Sequence, residues 1–303
     1  MTDIRTRWLG WLQLFRVPNL PTVPGDPLVG AVLAAVAAGR EVSARQASGV
    51  ALASLFLYMA GLALNDLHDL PADRLQRPER PLPRGVVSVR SAWLAFALLA
   101  ALGVAAAASA GRAAALASLG LLALVCLYNL RAKAHAASAC LVMGLCRGAS
   151  LLLGAWALGR PQAALLPASA LTLYIAAVTW LSRREDEAQR PGPFVLLPPL
   201  AVAGGCGAAW LTLGMTVERL PLAALAGAGL ATWMALQISL ELFRHTVGPG
   251  PARAAVGRFI RVLLPWQAAL LFLGGTPTTS ALAVALLLAW PGSRRLSRRV
   301  SAS

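Results

Sequence analysis

The chain is a succession of apolar blocks, each about as long as a bilayer is thick. They recur at residues 20–39, 46–65, 91–110, 112–130, 136–158, 162–181, 192–213 and 220–243, followed by an apolar stretch from Phe259 to Trp290. A helix needs about 20 apolar residues to cross the ~30 Å hydrocarbon core, and a helix satisfies its own backbone where no water can. The stretch from Phe259 to Trp290, at 1.5 Å per residue, would reach roughly 48 Å, too long for one ordinary crossing. Gly274-Gly275-Thr276-Pro277 divides it into spans 259–274 and 278–292. The pattern predicts an all-α polytopic transmembrane bundle of nine to ten spans, a single domain over 1–303, with its core over roughly 12–275 and a short extra span at the end.

Charge placement agrees. The chain is 58% apolar yet carries a formal charge of +15. That balance could suggest nucleic acid, but the arginines sit in short loops between apolar blocks, the distribution expected when positive loops stay inside. Ten spans with the N-terminus inside place Arg74, Arg77, Arg80, Arg84, Arg90, Arg131, Lys133, Arg183, Arg244 and the arginine-rich C-terminus on that side. The expectation is a multi-pass protein of a bacterial cytoplasmic membrane, with membrane lipids around it, no nucleic acid and no inferable protein partner. No cleaved-signal pattern opens the chain. Cys126, Cys140, Cys146 and Cys206 lie inside apolar blocks without metal-ligand or disulfide spacing, and three scattered histidines make no site.

The carboxylates are few, and three of them cluster after the second block. Asn65-Asp66-Leu67-His68-Asp69-Leu70-Pro71-Ala72-Asp73 is followed by Arg77-Pro78-Glu79-Arg80-Pro81-Leu82-Pro83-Arg84-Gly85. Asp66, Asp69 and Asp73 share one face if helical, and three carboxylates on one face repel unless a cation neutralises them. Oxygen donors of this kind suit Mg²⁺ together with substrate phosphate oxygens. Arg77 and Arg80, and less directly Arg84, can take further phosphate charge through paired hydrogen bonds. The reading is a magnesium-held diphosphate in a loop at the membrane surface, with His68 a bystander.

This motif resembles that of the UbiA family of intramembrane prenyltransferases. Arg16-x-Pro18-Asn19-Leu20 is similar to the family's entry sequence, and Tyr128-Asn129 with Arg131 and Lys133 to its loop after span 4. The resemblance implies a helical bundle around a central, lipid-accessible cavity. It also implies Mg²⁺-assisted loss of diphosphate from a prenyl diphosphate and attack of an aromatic or other lipophilic acceptor on the allylic cation. On it rest Asp66, Asp69, Tyr128 and Lys133 as catalytic residues, and Asn65, Arg77, Arg80 and Arg131 as diphosphate ligands. The metal set is Asp66, Asp69 and Asp73. The family's second acidic motif is altered here to Glu185-Asp186-Glu187, with Asp186 as the candidate fourth metal ligand. The stretch from Met143 to Gly154 is similar to the UbiA-like EboC branch. With the altered motif, it keeps a second reading open: a non-catalytic carrier of an isoprenoid or other lipophilic precursor.

Two ionisable residues lie at membrane depth. An intramembrane arginine such as Arg147 faces a polar cavity or a partner carboxylate, so it is either a diphosphate ligand or half of an ion pair. Asp26, between Pro24-Gly25 and Pro27, suggests a broken helix lining a cavity. Acceptor contact and pairing with Arg147 both fit it. Gln237 and Glu241 share a helix face and either line the cavity mouth or sit at the interface.

Overall fold

The computed structural model describes residues 4–183, 191–216, 218, 220–244 and 248–299. Among them there are only helices and connecting turns: α1 (Ile4–Leu14), α2 (Gly25–Ala37), α3 (Ala44–Gln76), α4 (Val89–Ala110), α5 (Arg112–Leu130), α6 (Ala136–Ala157), α7 (Leu165–Ser182), α8 (Leu197–Thr212), α9 (Leu222–Arg244), α10 (Pro249–Phe272) and α11 (Pro277–Arg299). Nine stretches of helix among the described residues are long and apolar enough to cross a membrane. The protein is a multi-pass integral membrane bundle.

The first crossing is broken, and its sequence shows why. Pro18, Pro21 and Pro24 each remove a backbone donor. The chain passes from α1 through a 3₁₀ turn at Val17–Thr22 before α2 begins at Gly25. Arg16 opens the break in the left-handed region, at φ 44 and ψ 51, a conformation that costs a residue with a side chain about 1–2 kcal/mol. The span expected at 20–39 is therefore helical only over α2.

The second crossing runs past its expected end at residue 65. α3 has 33 residues, about 50 Å, and carries the acidic motif on its last turns. Pro71 lies inside the helix without ending it. The motif is thus helical rather than a loop; the loop begins at Arg77. Ser43 and Gln46 start α3 with a reciprocal capping box. The loop after α3 folds back on the bundle, where Leu82 and Val87 pack with Leu14, Ala63, Leu67 and Ala92.

α2 and α6 meet backbone to backbone. A Cβ on Gly30 would collide with the Leu151 carbonyl, and one on Gly154 with the Pro27 carbonyl. Small residues permit this closeness where lipid supplies no hydrophobic drive between helices. We expect Gly154→Val to lower stability by about 3 kcal/mol, the upper end for overpacking. Gly120→Val, facing open space, should leave the thermal midpoint in detergent unchanged.

The turn at Gly274-Gly275-Thr276 falls where the sequence placed it, with Gly275 at φ 65 and Thr276 and Thr279 capping α11 through their hydroxyls. α11 turns Ala283, Leu286 and Ser293 inward, but it is not among the nine spanning stretches.

Candidate active site

Asn65 and Asp69 stand one turn apart on α3 and share a cation. Lys133 Nζ lies 2.5 Å from Asp69 Oδ1 and 3.3 Å from Asn65 Oδ1. Lys133 sits in the turn joining α5 to α6. That turn is held by Arg183 Nη1, which donates to the Lys133 carbonyl at 3.0 Å, and by Ser138, which donates to the Ala132 carbonyl at 2.6 Å. The ends of α3, α5 and α7 thereby meet at one point.

Asp66 is buried and has no cationic side chain in direct contact among the described residues. Its near neighbour is Asn65 Nδ2 at 3.4 Å, and the Arg16 and Arg80 charges act on it from further off. Tyr128, on the last turn of α5, lies in the field of Arg16, Arg183 and Asp69. Arg16 thus joins the site from the break in the first crossing.

Asp73 goes elsewhere. It receives Arg80 Nη1 at 2.7 Å, and both side chains are less than a tenth exposed. Seven residues along a helix is about 10 Å, so the Asp66 and Asp73 carboxylates share a face without touching, and the Asp73 charge still reaches Asp66. Among the described residues no three acidic, histidine or cysteine side chains form a ready metal cage. The expected trio does not converge, and Arg80, expected on the diphosphate, fastens its loop to α3 instead. Truncating one member strands the other's charge in a buried setting, so Asp73→Ala should cost about 3–5 kcal/mol. Asp73→Leu with Arg80→Met should recover most of that loss, which a double-mutant cycle on detergent-solubilised protein measures.

A partly open cavity of about 120 Å³ leads down from this point between α3, α5 and α6. On α3 it is lined by Asn65, Leu62, Gly61, Tyr58, Leu57 and Ser54, from mouth to base. Leu121, Val125, Tyr128 and Asn129 of α5 face them, as do Met143, Cys146, Arg147 and Ser150 of α6. Asn129 ties α5 to α3, its Nδ2 donating to the Gly61 carbonyl at 3.4 Å and the Val125 carbonyl at 2.9 Å. From Asn65 to Ser54 the cavity wall is about 16 Å deep.

One turn above the base, the two readings of Arg147 are decided by contact. Its Nε is 2.8 Å from Asp26 Oδ2, and its Nη2 donates to the Thr22 carbonyl at 2.9 Å. Gln267 of α10 donates to the same carbonyl at 2.8 Å and to Asp26 Oδ1 at 2.6 Å. The broken first crossing leaves the Thr22 carbonyl without a helical partner, and these two side chains supply one. Arg147 is therefore half of an ion pair, set away from the diphosphate ligands with which it was expected.

A profile of the UbiA prenyltransferase family matches residues 27–245. The chain belongs to the UbiA prenyltransferase family. Among its relatives is the digeranylgeranylglyceryl phosphate synthase of Haloquadratum walsbyi, 35% identical over 91 residues, which are 30% of this chain and 31% of that protein. The enzyme of that name from Thermococcus kodakarensis is 39% identical over 74 residues, 24% of this chain and 27% of the relative. These matches span less than a third of each relative. Among solved UbiA structures, a homolog from Aeropyrum pernix superposes with a TM-score of 0.64 at 22% identity, over 85% of this chain and 98% of that one. A homolog from Archaeoglobus fulgidus bound to GPP and Mg²⁺ gives 0.57 at 18%, over 88% and 100%. The UbiA fold is shared across nearly the whole of both.

The donors at the mouth fit a hard divalent cation. They are two carboxylates, Asp66 and Asp69, and an amide oxygen, all oxygen ligands. The buried Asp66 carboxylate lacks a contact cation, and a lysine ammonium already lies between Asn65 and Asp69. Arg77 caps α3 through its backbone N–H to the Asp73 carbonyl, and Arg131 is exposed at the end of α5. His68 is exposed, as is Gln237. Glu241 pairs with Arg258 of α10 at the surface, and neither it nor Gln237 lines the cavity. Asp186, with Glu185 and Glu187, lies outside the described residues.

Sequence reasoning gave Arg16 only the role of a motif letter, left Arg183 as a topological charge, and did not single out Tyr58 or the serines at the cavity base. Tyr58 was findable: residues 54, 58, 61, 65 and 69 repeat at helical spacing, so the face carrying the acidic motif continues into the cavity.

Proposed function

We propose that this UbiA protein transfers an isoprenyl group from a prenyl diphosphate to a lipophilic acceptor within the membrane, with Mg²⁺ as cofactor. The observation that carries the reading is the joining of two environments. Oxygen donors and cations (Asn65, Asp66, Asp69, Lys133 and Arg16) stand at the mouth of a deep, mostly apolar cavity. That pairing matches a substrate with a diphosphate head and a hydrocarbon tail. The relatives' names support it, as does the GPP and Mg²⁺ bound to a protein of the same fold.

Asp66 and Asp69 would hold Mg²⁺, which neutralises the charge that gathers on a departing diphosphate. Asn65, Lys133 and Arg16 bind the diphosphate oxygens, and Arg77 and Arg131 complete the set. Cationic donors fixed before the reaction stabilise a leaving anion without reorganising. Tyr128 shapes the reacting end, where its ring borders the cavity below Asn65. The apolar walls exclude the water that would otherwise capture an allylic cation. The motif end, rich in arginine loops, is assigned to the cytoplasmic side.

Titration of the purified protein in detergent with geranyl diphosphate, in Mg²⁺ and then in excess chelator, tests this reading. Binding that needs Mg²⁺ supports it; equal binding in chelator overturns the metal assignment.

A further inference from the structure

Charge enters the cavity wall at two levels: Arg16 at the mouth, and Arg147 on α6, about 12 Å below Asn65 by helical rise. The mouth serves a diphosphate, and the tail of a prenyl diphosphate is hydrocarbon. Neither part needs a guanidinium so deep, yet one is built in. Asp26 pairs with Arg147 through Nε at 2.8 Å without hydrogen-bond geometry, and the Thr22 carbonyl accepts from Nη2. The third nitrogen, Nη1, has no hydrogen-bond partner among the described residues, and the side chain forms part of the cavity wall. One turn deeper, Ser150 and Ser54 close the base with their hydroxyls 2.7 Å apart. One hydroxyl donates to the other, and no hydrogen bond among the described residues joins either to Arg147.

A donor left unpaired in a water-poor site is costly unless an oxygen accepts from it. Asp26 decides which kind of oxygen. Its carboxylate lies against the guanidinium and cancels the charge, so an anion arriving at Nη1 would meet a carboxylate behind the arginine. A neutral oxygen gains the hydrogen bond without that repulsion. We propose that Arg147 recognises a neutral oxygen on the acceptor (hydroxyl, ether or carbonyl) and so orients the acceptor beneath the diphosphate. The class of acceptor is then an uncharged oxygen-bearing lipophile rather than a carboxylate. This inference rests on the transfer reading above, because it takes the mouth to be filled by the donor substrate.

The test is binding of three matched probes, 1-naphthol, 1-naphthoate and 1-methylnaphthalene, to the purified full chain in detergent. The wild type should bind 1-naphthol at least about tenfold tighter than 1-methylnaphthalene, the scale of a hydrogen bond to a charged donor. Arg147→Lys keeps a cation beside Asp26 but removes the planar fork, and should abolish that preference at an unchanged thermal midpoint. Should this variant fail to fold, Asp26→Leu with Arg147→Met replaces the ion pair by apolar volume, which buried sites tolerate, and should lose the preference as well. Equal binding of 1-naphthol and 1-methylnaphthalene by the wild type, or a preference that survives in the variants, overturns the proposal. Tightest binding of 1-naphthoate overturns the neutral-oxygen class. Mg²⁺-dependent binding of geranyl diphosphate to the wild type is measured alongside. Its absence, with the naphthol preference intact, would count against the transfer reading and not against the Arg147 site.

Discussion

Asp69→Ala is expected to abolish Mg²⁺-dependent binding of prenyl diphosphate and to lower turnover about 10³-fold, the loss typical when a main electrostatic contributor to a leaving group is removed. Asp69 combines three properties. It shares a helix face with Asn65, it is one-third exposed and so open to an incoming ligand, and it holds Lys133 at 2.5 Å. Truncation removes the proposed metal donor and frees the ammonium that it positions. Asp73→Leu with Arg80→Met should leave the Mg²⁺ requirement in place, because that pair fastens the loop rather than forming the mouth. Calorimetric titration with geranyl diphosphate separates the two. If Asp69→Ala binds as tightly as the wild type, and only with Mg²⁺, the metal assignment fails.

Arg16→Gly should reduce kcat/KM about 10²-fold with a thermal midpoint no lower than that of the wild type. Arg16 occupies the left-handed region that glycine enters freely. The substitution therefore relieves backbone strain of about 1–2 kcal/mol while removing the charge that faces Asp66 and Tyr128. A glycine also widens the unfolded ensemble, at about 0.4–1 kcal/mol, so the two effects leave stability level or slightly raised. Arg16→Lys should restore much of the activity, since the charge returns. Steady-state kinetics beside a melting curve reads both. A variant that is fully active, or one inactive because it melts early, would remove Arg16 from the site.

Much of this architecture is legible in the chain because bilayer thickness fixes the length of each apolar block. The break in the first crossing is equally legible, since three prolines within seven residues leave carbonyls that no helix can satisfy. The course of α3 is harder to read. Residues 66–76 look like a loop because they are polar, yet polarity does not end a helix, and Pro71 alone does not interrupt one so near its end. The contacts between remote residues are beyond sequence reading. Asp26 and Arg147 each stand out as charges at membrane depth, but only the packing of α2 on α6 brings them to 2.8 Å. Arg80 reaches Asp73 because Leu82 and Val87 pull its loop onto α1 and α3, and that attraction leaves no trace in local spacing. The same holds for Lys133, which approaches Asp69 from 64 residues away.

The most direct test of the central claim is Mg²⁺-dependent release of diphosphate by the purified protein. Geranyl, farnesyl and geranylgeranyl diphosphates would be supplied with a panel of uncharged, oxygen-bearing lipophilic acceptors, with Asp66→Ala as control. Release coupled to a prenylated product, and lost in the control, is the result expected of a UbiA transferase. Tight, Mg²⁺-dependent binding with no release across the whole panel would contradict it and identify a carrier that keeps the site without the chemistry.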